Sequence, residues 1–126
     1  MEANKLKFLS RFVLVAFYVI AGVNHFINPG FYYPLIPDYL LFHVLINAIS
    51  GILEIILGLG LLWKSTRTYA AYFIIAMLIA FIPSHIYFIT VGGCIENGLC
   101  VPIWVAWLRL LVIHPLLIWW VWNNKK

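Results

Sequence analysis

Charged side chains are scarce in this sequence: Asp and Glu together number 4, Lys and Arg number 8, and the four types make up only 10% of 126 residues. A soluble domain carries about 25%, so this composition does not supply a water-facing surface. Cysteine is nearly absent as well. Cys94 and Cys100 are the only two, and without a histidine nearby they leave a metal site short of ligands. The chain has no low-complexity segment, no convincing internal repeat, and no catalytic triad, phosphate loop or haem-attachment motif. His25, His43, His85 and His114 fall on four different apolar segments, but their unequal depths offer haem no axial pair.

Apolar residues fill the space that charge leaves. They make up 65% of the chain, and the mean hydropathy is +1.02. A helix needs roughly 20 apolar residues to cross a hydrocarbon core, and four runs qualify, at about 8–27, 41–63, 69–91 and 101–122. The expectation is all-α: one four-helix transmembrane bundle over residues 1–126, with no room for a soluble domain. Lys5, Lys7 and Arg11 before the first run raise the possibility of a signal peptide, but no A-x-A cleavage site follows and three more spans do. The first run is therefore read as a retained helix.

The four spans sort the basic residues. Lys5, Lys7, Arg11, Lys64, Arg67, Lys125 and Lys126 fall at one membrane face, and the two opposite loops, 28–40 and 92–100, hold none. By the positive-inside rule both termini are cytoplasmic and these loops lie outside. A bacterial cytoplasmic (inner) membrane is the expected location. The net charge of +4 is read as an orientation signal, and nucleic acid is not indicated. Trp119, Trp120 and Trp122 suit the inner interface, and Trp104 and Trp107 the outer one.

Both cysteines lie in the second outer loop, VGGCIENGLCVP. In an oxidising compartment a structural disulfide closing this loop is the natural reading. A redox-active pair, exchanging electrons with a partner protein or a membrane quinone, is the alternative, and spacing does not separate the two. The first outer loop follows AGVNHF and reads INPGFYYPLIPDYL. Its prolines fix the backbone and remove donors, and its aromatics suit the headgroup region. A proline/aromatic-rich cap on the bundle mouth is expected, with a simple interfacial anchor as the alternative.

Ionisable groups inside a span are costly and normally turn toward the bundle interior. Here they are Glu54, His85, Arg109 and His114, with His25 and His43 nearer the outer ends and Asn24, Asn47, Ser50 and Ser84 adding uncharged polarity. A rise of 1.5 Å per residue puts Asn47 and His85 roughly 9 Å below the outer boundary, Arg109 roughly 12 Å, and Glu54 and His114 roughly 20 Å, with His25 at the rim. The expected shape is a funnel open to the outside.

Residues 47, 50, 51, 54 and 58 make a small, polar stripe on the second span, and Tyr18, Gly22 and His25 make another on the first. Glu54 and Arg109 are the obvious ion pair, either fixing which helices pack together or serving a ligand or proton role. His85, two residues after Pro83, is expected to bond the backbone freed by that proline. Arg109 and His114 are five apart, about 140° round an ideal helix, and both point inward only if Pro115 distorts the turn.

Taken in order, HFINP, SGILEIILGLGLL, the basic turn, FIPSHIYF and WLRL resemble the DoxX-like family of small four-helix membrane proteins, across nearly the whole chain. The matching positions are His25, Pro29, Pro37, Gly51, Glu54, Gly58, Pro83, His85 and Arg109. The family usually has asparagine where His85 stands. It commonly follows the arginine with proline and glutamine, as in RLPLQ, where this chain reads RLLVIHP. His114 stands one position beyond that glutamine.

What the resemblance implies is a link, shown by some members of that family while many others have no assigned role, to quinone-coupled redox chemistry or membrane redox complexes. No cofactor is expected to be built into the chain, and a quinone is its candidate partner molecule. Three functions are weighed. The first is a quinone- or lipophile-binding accessory subunit of an oxidoreductase, acting as a homodimer or beside a redox partner protein. The second is a non-enzymatic accessory or lipid-binding protein, and the third is a small transporter. The candidate pocket residues are Glu54, Arg109, His85, His25, Asn47, Tyr18 and His114.

Overall fold

The computed structural model describes residues 1–126. Helix α1 runs from Glu2–Ile27, a short α2 spans Pro29–Tyr32 and continues as a single 3-10 turn, Tyr33–Leu35, and α3 spans His43–Gly60. Helices α4 (Arg67–Ala80) and α5 (Ile82–Thr90) together form the third long segment. Helix α6 (Ile103–Leu108), a π-helical turn (Arg109–Ile113) and α7 (His114–Asn123) form the fourth. The segments Glu2–Ile27, His43–Gly60, Arg67–Thr90 and Ile103–Asn123 are long and apolar enough to cross a membrane.

Only 24 of the 126 residues are buried, so most apolar side chains on these helices face outward. Leu6, Ile20, Leu111 and Trp119 are among the exposed ones. Water would penalise such a surface, whereas hydrocarbon would not. The buried remainder forms one cluster around Leu14, Tyr18, Leu61, Ala71, Ile74 and Val121 and a smaller one of Leu35, Phe88 and Ala106.

Small residues set the closest approach. A Cβ built on Gly22 would stand 2.6 Å from the Gly51 carbonyl oxygen, one on Gly51 would stand 2.8 Å from His25 Cβ, and one on Gly58 would stand 2.9 Å from Tyr18 Cβ. Positions rise along α1 as they fall along α3, so the two helices are antiparallel and touch through the stripes predicted for them.

The ends of the long segments converge at a basic end. Arg11 Nη2 donates to the Lys126 carbonyl, Thr68 Oγ1 to the Lys125 carbonyl at 2.8 Å, and Trp120 Nε1 to Ser10 Oγ at 2.9 Å. Arg67 closes the turn before α4 by donating to the Leu61 and Leu62 carbonyls. At the other end the 92–101 segment doubles back on itself. Gly92, Gly93 and Asn97 adopt positive φ, Cys94 and Cys100 pair as an antiparallel bridge, and their sulfurs are disulfide-bonded. Ile95, Leu99 and Val101 pack this hairpin onto the Leu35, Phe88 and Ala106 cluster.

Prolines mark each irregularity in the long segments. The third one breaks at Phe81, where Pro83 occupies the first turn of α5. In the fourth, the His114 N–H donates to the Arg109 carbonyl, an i→i+5 bond just ahead of Pro115, which has no N–H to give the helix.

Candidate functional site

His25 sits in the last turn of α1, where its carbonyl would accept from the residue four positions on. That residue is Pro29, which has no N–H. Asn47 of α3 fills the gap, its Nδ2 donating to the His25 carbonyl at 2.9 Å. A carbonyl only accepts, so this contact fixes the amide's orientation and leaves Asn47 Oδ1 facing His25 Nδ1, 2.6 Å away. Because Oδ1 also only accepts, Nδ1 carries a hydrogen.

The other ring nitrogen, Nε2, lies 3.3 Å from Glu54 Oε2. The distance is that of an ion pair, but the alignment falls short of a hydrogen bond and leaves Oε2 without a partner of that kind. With Nδ1 already protonated, a favourable contact between Nε2 and a carboxyl oxygen requires one further proton between them. An imidazolium facing a carboxylate and a neutral imidazole facing a carboxylic acid hold the same proton count. His25, Asn47 and Glu54 are all buried. Tyr32 of α2 stacks on the imidazole at a centroid distance of 3.8 Å, and Asn24 Nδ2 donates to the Tyr32 hydroxyl at 2.7 Å.

The expected pairing of Glu54 with Arg109 is therefore corrected: the carboxylate's partner is His25. Backbone rise had placed these two residues at opposite ends of the funnel. It set the ends of the two spans level, whereas a Cβ on Gly51 would stand 2.8 Å from His25 Cβ, so α3 extends about two turns beyond the level of His25. The lean of side chains toward the N-terminus of their own helix closes the one remaining turn, carrying His25 inward and Glu54 outward until they meet.

His25, Asn47 and Glu54 form one wall of a cavity of about 320 Å³. His85, Ser84 and Arg109 line it from α5 and the π turn, and Leu35, Ile36 and Pro37 line it from the segment between α1 and α3. Ser84 Oγ donates to the Leu35 carbonyl at 2.6 Å and ties that segment to α5. His43 Nε2 donates to the Pro37 carbonyl at 3.1 Å, anchoring its second half to α3. Arg109 Nη1 is buried and has no hydrogen-bond partner in the protein. Its guanidinium lies over the Phe88 ring, 5.0 Å from the centroid.

Five of the seven sequence-derived pocket residues thus share one cavity. Tyr18 and His114 do not line it. Tyr18 is buried against Gly58, its hydroxyl unpartnered. His114 is buried because the π turn rotates it inward, and its Nε2 donates to the Leu78 carbonyl at the break before Pro83. The backbone contact expected of His85 is not formed, and the carbonyl that His114 reaches, Leu78, is not the one that Pro83 leaves free. His85 meets the His114 ring edge-on, with centroids 4.7 Å apart. Tyr32 and Asn24 were not singled out as pocket residues. Their one signal is position: Asn24 precedes His25, and Tyr32 lies one helical turn past Pro29.

No three histidine, cysteine, aspartate or glutamate side chains converge closely enough to hold a metal ion. The arrangement can do two things chemically. It can present a proton at the His25–Glu54 contact, and it can offer a cationic donor from Arg109 within the same apolar enclosure. No curated protein and no solved structure matches the chain. Residues 14–125 match a family described as a domain of unknown function (DUF8561), and the chain belongs to that family.

Proposed function

We propose that this chain is an integral membrane protein that binds a lipophilic molecule, with a quinone as the foremost candidate, as an accessory subunit of membrane redox chemistry. One observation carries the reading: an apolar cavity walled by helices is lined by the buried His25–Glu54 contact and by Arg109, whose guanidinium has no carboxylate partner. Small-molecule sites combine a mostly apolar wall with a few placed polar groups in this way. A quinone carbonyl would accept from Arg109 or His85, and Glu54 would exchange a proton with the reduced form. The DoxX-like motifs around His25, Glu54 and Arg109 support the same chemistry.

The positive-inside rule orients the bundle with both termini in the cytoplasm and the Cys94–Cys100 hairpin outside. In this orientation the 28–42 segment caps the outer mouth of the cavity, and the disulfide acts as a brace for the hairpin beside it. Binding of a short-chain benzoquinone to the purified protein tests the proposal. Wild type is expected to bind it, with Glu54→Gln and His85→Ala each weakening binding about tenfold or more. Unchanged binding in both variants would contradict it.

A further inference from the structure

The charges around the cavity do not balance. Glu54 is the one acidic group lining it, and His25 already engages that carboxyl. Arg109 lines it too, and its guanidinium keeps its charge in proteins. No carboxylate lies within 4.0 Å of that guanidinium, for the His25–Glu54 contact is the chain's one close acid–base pair. Its Nη1 is buried and unbonded, the Phe88 face beside it offers only a quadrupole, and it is the half-buried remainder of the side chain that lines the cavity and is open to a ligand. An uncompensated cation in a water-poor interior is costly, and a matched anion removes that cost.

We infer that the cavity selects a lipophile carrying one ionisable oxygen acid and docks the oxyanion on Arg109. The ligand class is an apolar body ending in a carboxylate or an acidic hydroxyl. Leu35, Ile36, Leu40, Phe81 and Phe88 supply the apolar lining for that body. The cavity volume of about 320 Å³ is at the small end for ligand sites, so it admits the head and the first part of a chain or ring. Glu54 orients the ligand: its carboxyl turns an anion away from the α3 wall and toward the α5 and π-turn side, where Arg109 and the imidazole of His85 lie. The inference rests on the reading of this cavity as a lipophile site. A neutral quinone would use Arg109 as a hydrogen-bond donor but leave its charge unmatched.

The test is equilibrium binding of a matched pair, oleate and oleyl alcohol, to the full chain in nanodiscs, with a neutral short-chain benzoquinone measured alongside. Wild type is expected to bind oleate about tenfold or more tightly relative to the alcohol. That ratio is expected to fall toward one in Arg109→Gln and to persist in Arg109→Lys, which keeps the charge. A ratio near one in wild type, or a ratio unchanged in a folded Arg109→Gln, overturns the inference. Quinone binding without acid preference overturns it while leaving the quinone proposal standing. Acid preference without quinone binding supports it and overturns the quinone proposal.

Discussion

Gly22 and Gly51 bring the backbones of α1 and α3 into direct contact. A Cβ on either would stand within 3.0 Å of the other's carbonyl oxygen, at 2.6 Å and 2.9 Å. This crossing holds His25 beside Asn47 and Glu54, so the candidate site depends on a spacing that side chains other than hydrogen do not allow.

Gly51→Ala is accordingly expected to destabilise the folded chain by about 1–3 kcal/mol, the usual cost of overpacking a tight contact. Gly30→Ala is the control, because a Cβ there meets nothing within 4 Å. Thermal unfolding in mild detergent should lower the midpoint for the first and leave the second near wild type. Equal midpoints would contradict the close-contact account.

Asn47 serves two His25 atoms at once, donating to the carbonyl that Pro29 leaves free and accepting from Nδ1. Asn47→Leu is expected to cost about 2–4 kcal/mol through two lost buried hydrogen bonds. It should also be non-additive with Glu54→Gln by about 0.5 kcal/mol or more, because both act through one imidazole. A double-mutant cycle on unfolding free energy measures this, and strict additivity would contradict the linked arrangement.

The proton inventory can be observed directly. Nitrogen-15 NMR of the histidine side chains should show His25 Nδ1 protonated both as the neutral tautomer and as the imidazolium. A neutral His25 with its hydrogen only on Nε2 would contradict the amide orientation deduced from the His25 carbonyl.

The sequence made the spans legible because twenty-residue apolar runs and a one-sided distribution of Lys and Arg are long-range signals that local detail does not erase. It also pointed to most of the polar cavity lining, since Asn47, Ser50 and Glu54 recur at helical spacing. Two features were hidden. The His25–Glu54 contact depends on how far α3 extends past the end of α1, which sets His25 level with Gly51 and which span boundaries read from hydropathy do not give. The inward turn of His114 depends on the π register of Arg109–Ile113. Pro115 hinted at a distortion there without fixing its form.

That register makes a further prediction. Deleting Val112 would return the π turn to α-helical spacing and rotate His114 by about 100° relative to Arg109. Helical content by circular dichroism should hold, while short-chain benzoquinone binding should weaken about tenfold or more as the α4–α7 contact at Leu78 is lost. Wild-type binding in the deletion variant would show that the π turn does not shape the site.

The Cys94–Cys100 bond closes a short loop whose side chains Ile95 and Leu99 pack beside Phe88, a cavity residue. Replacing both cysteines by serine is expected to lower stability by about 2 kcal/mol on the chain-entropy account. Quinone binding should survive if the bond is a brace. Loss of dependent electron transfer with full retention of binding would instead assign the pair a redox role.

The central claim, a lipophile held at the His25–Glu54 and Arg109 cavity, is tested most directly by mass spectrometry of the small molecules that co-purify with the protein in mild detergent. The account predicts a quinone or an acidic lipophile retained by wild type and lost or strongly depleted in Glu54→Gln and Arg109→Gln. The same lipid profile in all three proteins, with no molecule enriched over the detergent and membrane background, would contradict it.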